Sequence, residues 1–198
     1  LNEIQKFYNG DILIIDDASI KPINIASTFT NTILKTHDIN QGKGKCIIEA
    51  AKYMISNKYS HLLVIDADGQ HDPSKINEFL NLNQDIEIVF GRRSFKKPMP
   101  FLRILSNTIT SSIISFICKI KIHDSQCGYR RYKNTLFINK SYNENGYQLE
   151  SEILLSNINN NSNIAFVNIP TIYNSNISSM NYINDTYKFI KCILRNIN

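Results

Sequence analysis

Asp66, Asp68 and Gln70 occupy alternate positions directly after the apolar run His61–Ile65. In an extended backbone such positions face one side. Two carboxylates and an amide oxygen are the hard-oxygen set that Mg2+ or Mn2+ takes while bridging to substrate phosphates. The same Asp-x-Asp spacing also builds turns and helix caps, because Asp accepts from backbone N–H groups a residue or two ahead. A second acidic pair, Asp16-Asp17, ends another apolar run, Asp11–Ile15. Parallel strands bring their carboxyl ends to one rim, where ligands gather. The two pairs together therefore favour a metal-linked phosphate site over two unrelated turns.

Cations that could meet such a phosphate are spread along the chain. Lys43 and Lys45 lie in Gly42-Lys43-Gly44-Lys45, which lacks the Walker A spacing. The segment reads either as a helix-starting turn or as a donor contact assisted by backbone N–H groups. Arg93, Arg103 and Arg130 are candidate clamps, since a planar guanidinium matches phosphate oxygens in bidentate fashion. Arg130, beside Gly128, is the strongest of the three, whereas a lone arginine such as Arg92, Arg103 or Arg131 reads more readily as a solvated surface ion pair. His71 has no histidine partner nearby and reads as a packing or outer residue of the acidic segment.

These residues need elements to position them, and the pattern is α/β. Apolar strands are expected at Asp11–Ile15, Ile33–Thr36, His61–Ile65, Ile86–Phe90 and Ile164–Ile169, with helices over Cys46–Ser56, Pro73–Leu82, Phe101–Ile120, Gln148–Asn157 and Tyr182–Arg195. Such alternation implies right-handed crossovers and a mainly parallel sheet flanked by helices. A strand at Gly128–Tyr132 interrupts it. Pro73 suits the first turn of a helix.

The 198 residues, 42% of them hydrophobic, fit one domain with a real core. The net charge of +5 comes from 22 scattered Lys and Arg without a basic stripe or stacking platform, so nucleic acid is not an expected partner. Four cysteines with no CxxC or Cys/His clustering predict neither a zinc site nor a disulfide framework, which fits a reducing cytoplasm. Phe101–Ile122 is apolar around much of its circumference but interrupted by Arg103, Lys119 and Lys121. It reads either as a core helix or as a helix lying on a membrane, with Arg92, Arg93, Lys96 and Lys97 near anionic headgroups.

Ordered blocks carry a family resemblance from about residue 10 to 190. Ile14-Ile15-Asp16-Asp17-Ala18-Ser19, Asn40-Gln41-Gly42-Lys43-Gly44 and Asp66-Ala67-Asp68-Gly69-Gln70-His71-Asp72-Pro73 come first. Gly91-Arg92-Arg93, Asp124-Ser125-Gln126-Cys127-Gly128-Tyr129-Arg130, Gly146–Glu152 and Ser178-Ser179-Met180-Asn181 with Asp185 follow. In this order they resemble the inverting GT-A glycosyltransferases of family 2, which include dolichol-phosphate mannose synthase and bacterial polyprenyl-phosphate glycosyltransferases.

The resemblance implies a GT-A fold and transfer of a hexose from a GDP- or UDP-sugar to a polyprenyl or dolichyl phosphate. It implies that Asp16 or Asp17 contacts the base or ribose, that Asp66 lies near nucleoside and metal, and that Asp68 and Gln70 hold Mg2+ or Mn2+. Lys43 and Arg93 would be donor contacts, and Ser179, Met180 and Asn181 would form a loop over the donor. With a phosphate acceptor no general base is needed, so Asp124, Glu150 and Glu152 would position groups rather than take protons. The expected location is cytoplasmic, peripheral at the inner membrane face. Two other readings stand beside this one: transfer to a sugar hydroxyl of a cell-surface glycan, and an inactive nucleotide-sugar-binding module. The family's first strand, with its P-x-x-N-E segment, has no counterpart, so a truncated N-terminus on a single domain of residues 1–198 is expected.

Overall fold

A computed structural model describes residues 1–21, 23–25, 29–96, 98–172 and 182–196, with side chains of the last helix from residue 186. Its strands are β1 (Ile12–Asp16), β2 (Thr32–Thr36), β3 (His61–Val64), β4 (Ile88–Arg93), β5 (Arg130–Lys133) and β6 (Ile164–Ile169). Its helices are α1 (Asn2–Gln5), α2 (Lys43–Ser56), α3 (Ile76–Leu80), α4 (Phe101–Cys118), α5 (Leu149–Asn157) and α6 (Tyr182–Asn196). The expected helix over residues 73–82 begins as a 3-10 turn, Pro73–Lys75, with the Asp72 carboxylate accepting from Ser74 N–H at 2.9 Å before α3 continues it.

The four-stranded sheet runs β3-β5-β4-β6. β4 and β6 are parallel, and β5 is antiparallel to both its neighbours. β1 and β2 form a separate parallel pair in the register Asp16↔Thr36. Among the described residues, β1 is strand-paired only to β2 and β3 only to β5. Tyr59, just before β3, donates its hydroxyl to Asp11, just before β1, and so ties the amino ends of the two sheets.

Alternating side chains of β4 feed both faces of the larger sheet. Ile88 and Phe90 join Ile47, Met54, Ile114, Leu149 and Ile153 of α2, α4 and α5 on one face. Val89 joins Ile76, Phe79 and Tyr129 on the other. Burial on both faces explains why this strand reads as an unbroken apolar run.

The adjacent arginines of β5 point to opposite faces, and both are fully buried. Arg131 donates to the carbonyls of Phe79 (2.9 Å), Leu82 (2.9 Å) and Asn83 (2.7 Å), at and just past the end of α3. The solvated surface role expected for Arg131 is therefore corrected: backbone carbonyls take the place of water.

Helix α4 is turned against its own polarity. Asn107 and Ser111 face inward with Ile114 and Cys118. Ser111 Oγ meets Ser125 Oγ at 3.1 Å and accepts from Ser125 N–H at 2.9 Å. Phe101, Leu102, Leu105, Ile109, Ile113 and Phe116 face outward, Phe116 being 85% exposed. By length and composition the helix is apolar enough to cross a membrane.

Candidate active site

Two acidic turns stand at the carboxyl ends of β1 and β3. Strand β3 stops at Val64, so Asp66, Asp68 and Gln70 lie on a turn with Gly69 at φ +76° rather than on an extended strand. The alternation expected for them gives way to a local Asx turn: Asp68 Oδ1 accepts from Gln70 N–H at 2.9 Å. Asp68 remains exposed, while Asp66 is half-buried. Behind them His71 Nδ1 accepts from Asp66 N–H at 3.1 Å, and its ring stacks on Tyr129, which stacks on Phe79. An acceptor Nδ1 requires the neutral ring, and burial lowers the His71 pKa accordingly.

Lys43, in the first turn of α2, reaches across to this turn. Its Nζ lies 2.8 Å from Asp66 Oδ1, 2.9 Å from Oδ2 and 3.5 Å from Glu150 Oε2, with the Tyr147 ring 5.8 Å away. Burial opposes ionisation of Asp66, but Lys43 outweighs it, and the carboxyl titrates below its ordinary value. Glu150 is 5% exposed, and its Oε1 has no hydrogen-bond partner. Gly128 lies against this cluster: a Cβ there would collide with Lys43 Nζ and the Asp66 carboxylate.

Both glycines around Lys43 are required by close backbone approach. A Cβ on Gly44 would lie 2.7 Å from Asn145 C and from Gly146 O, and Gly42 has φ +93°. Lys45 N–H donates to Asn145 O at 3.1 Å. Of the two readings of this segment, the structure displays the helix-starting turn, docked on the chain that leads into α5 and Glu150.

At the end of β1, Asp17 accepts from Gln41 N–H (2.8 Å) and Gly42 N–H (2.7 Å), which caps the turn into α2 from a distance. His37 completes the contact: Nδ1 lies 2.7 Å from Asp17 Oδ1 and Nε2 lies 2.7 Å from Glu49 Oε2, and Lys35 holds the second Glu49 oxygen at 2.9 Å. Asp16 is buried and accepts from Ser19 N–H at 3.0 Å. Between them and Ser19, Ala18 sits at φ +62°. Sequence reasoning missed His37 and Glu49. The signal was the parallel register, which sets residue 37 beside residue 17 once Asp16 is opposite Thr36.

One expected site residue is corrected. Arg130 is fully buried beneath the rim and donates to Cys127 O (2.7 Å), Ser125 O (2.6 Å) and Glu150 O (3.3 Å) while stacking on Phe90. Carbonyls fill its fork, so it braces the 125–130 segment instead of clamping phosphate. Asp124, also fully buried, takes a bidentate pair from Arg93 at 2.7 and 3.0 Å and accepts from Gln126 N–H. It holds this loop through Arg93 and Gln126. Ser179, Met180 and Asn181 lie outside the described residues. The structure thus brings Lys43, Asp66 and Glu150 together, with Asp68 and Gln70 on the same turn.

The α/β sheet flanked by helices is the fold of the GT-A glycosyltransferases, shared with solved members. The chain belongs to Glycosyl transferase family 2, whose model matches residues 1–151. It is 30% identical over 146 residues to UDP-N-acetylglucosamine--dolichyl-phosphate N-acetylglucosaminyltransferase of Methanococcus voltae, covering 69% of this chain and 58% of that one. It is 23% identical over 136 residues to polyprenol monophosphomannose synthase of Mycolicibacterium smegmatis, covering 65% and 51%. Among solved structures, glucosyl-3-phosphoglycerate synthase from Mycobacterium tuberculosis, in complex with Mn2+, uridine diphosphate and phosphoglyceric acid, shares the fold with a TM-score of 0.73 at 13% identity, covering 100% of this chain and 72% of that one.

Proposed function

We propose that this chain is an inverting hexosyltransferase that moves sugar from a GDP- or UDP-sugar to a polyprenyl phosphate, as a single domain lying against the cytoplasmic face of a membrane. The observation that carries this reading is α4, whose exposed apolar stripe is flanked by exposed Arg92, Lys96, Lys119 and Lys121. Apolar patches rimmed by cations suit an interface with anionic headgroups. The names of the two relatives point to lipid-phosphate acceptors.

Mg2+ or Mn2+ fits the acidic turn as a metal that arrives with its diphosphate. Exposed Asp68, half-buried Asp66 and Gln70 offer a few oxygens on one turn, and such ions bind through one or two carboxylates plus phosphate oxygens. When bound, the ion would neutralise charge on the leaving diphosphate. Lys43 balances Asp66 and Glu150 in the free protein and stands ready for the same anion. The nucleoside would rest at the end of β1 beside Asp16 and Asp17. No residue takes a proton from an anionic acceptor, in keeping with the burial of Asp124 under Arg93.

The test is a panel of GDP-, UDP- and dTDP-sugars with Mn2+ and a short-chain polyprenyl phosphate, with labelled sugar counted in the organic phase. Transfer from one donor is expected, and Asp68→Ala should cut it by about two orders of magnitude, equal to about 2.7 kcal/mol of transition-state stabilisation. Absence of hydrolysis and transfer with every donor would defeat the proposal. The separation of β1-β2 from the larger sheet favours one rival, a module that binds nucleotide sugar without turning it over. Donor-induced stabilisation without product would assign that role.

A further inference from the structure

At the end of β1 lies a cluster of which the proposed reaction uses only Asp17. Asp17 at the end of β1, His37 just after β2 and Cys46 in the first turns of α2 bring a carboxylate oxygen, an imidazole nitrogen and a thiol within 4.8 Å of one another. Glu49, one turn along α2, meets the opposite ring nitrogen of His37 at 2.7 Å and is itself held by Lys35 at 2.9 Å. We propose that Asp17, His37 Nδ1 and Cys46 bind a zinc-type divalent cation, with Glu49 orienting the imidazole through Nε2–H.

The chemistry of the donor set selects the ion. Oxygen, nitrogen and sulfur together suit a borderline cation such as Zn2+, whereas Mg2+ prefers oxygen alone. A metal-bound histidine that donates its other N–H to a carboxylate is the usual outer arrangement of such sites, and Glu49 is already placed for it. Asp17 can keep both amide contacts to Gln41 and Gly42, because a carboxylate has about four lone-pair directions. Without a cation, burial together with the Asp17 and Glu49 carboxylates pushes the Cys46 thiol up to about 11. A dication reverses the charge those carboxylates impose. Binding displaces one imidazole proton and the thiol proton to solvent, so affinity rises with pH. Cys46 is the half-exposed member of four cysteines, the other three being buried.

Such an ion would lock the end of β1 to β2 and to the turn that places Lys43. The site shares Asp17 with the proposed nucleoside end, and it is tested without any transferase activity. Full chain is stripped with chelator, placed in millimolar Mg2+ to fill oxygen-only sites, and titrated with Co2+. A single tetrahedral cobalt spectrum with a thiolate charge-transfer band is expected, bleached by Zn2+, and Zn2+ should raise the melting temperature. Cys46→Ser should abolish the charge-transfer band and the Zn2+ shift while far-UV circular dichroism stays unchanged. Glu49→Gln should keep the band and weaken affinity by about 10- to 100-fold. Six-coordinate cobalt without the band in the wild type, or an unchanged Zn2+ shift in Cys46→Ser, would overturn the proposal.

Discussion

Replacing Lys43 by Met removes a cation from between two carboxylates while keeping most of its stem. Coulomb attraction at an effective dielectric of about 20 is roughly 6 kcal/mol for the 2.8 Å contact to Asp66 and about 5 kcal/mol for the 3.5 Å contact to Glu150. Desolvation cancels most of this, and the Asp66 side chain is 30% exposed, so a net loss of about 3 kcal/mol is expected, the low end for a broken buried pair. In a chain of 198 residues that is a fall of about 6 to 12 °C in melting temperature. The deficit depends on pH. Asp66 titrates below its ordinary 3.8 in the wild type, so its contribution is present above that value and lost as pH falls through the lowered one. The gap between wild type and Lys43→Met should therefore be widest at neutral pH and close in acid. Metal affinity should move the other way: with both Asp66 oxygens released, Mn2+ should bind about tenfold tighter, equal to about 1.4 kcal/mol. Thermal melts in metal-free buffer from pH 3 to 8 and a Mn2+ titration followed by electron paramagnetic resonance read both effects. A variant that melts within about 2 °C of wild type at pH 7.5 and binds Mn2+ no more tightly would refute the assignment of Lys43 as the counter-ion of Asp66.

Gly44→Ala should cost about 1 to 3 kcal/mol in urea unfolding, because the new methyl meets the rigid backbone of Asn145 and Gly146. Arg131→Met removes the side-chain donors to the carbonyls of Phe79 and Leu82 and should cost about 2 to 4 kcal/mol by the same measurement. Ala18→Gly should stabilise by about 1 kcal/mol, since it relieves a left-handed Ala, and a calorimetric scan would show the rise. In the presence of chelator, hydrogen bonds donated to Asp17 and then Glu49 raise His37 above 6.5, so its contribution holds below that value and fades as pH rises through the raised one. His37 in turn lowers Glu49, whose contribution holds above 4.5 and is lost as pH falls through the lowered value. The stability gap between wild type and His37→Gln should therefore peak between these limits, and urea unfolding across pH 3 to 9 checks it.

Much of the plan was legible in the residues themselves. Apolar runs with acidic ends locate β1 and β3 because a buried strand leaves few choices but Ile, Val and Leu, and its polar residues collect where it meets solvent. Pro73 and Asp72 mark a helix start through constraints that act within a few residues. The order of short blocks carries the family assignment for the same reason: each block is a local chemical requirement.

What the residues could not show is where long side chains end. Arg130 and Arg131 look alike in sequence, and both turn inward, because the carbonyls that receive them come from segments up to 52 positions away. Helix α4 has an apolar composition that fits a core, yet Ser125 draws Ser111 inward and leaves Phe116 outside. His37 becomes part of a site only through the register that sets it beside Asp17. The sequence by itself determined the family, the α/β order and the acidic turns, since these rest on local patterns. Tertiary structure alone decided that Lys43 would hold Asp66, that Arg130 would turn its guanidinium to backbone carbonyls, and which face of α4 meets the outside. Those outcomes depend on burial and on hydrogen-bond partners that only the folded chain brings within reach.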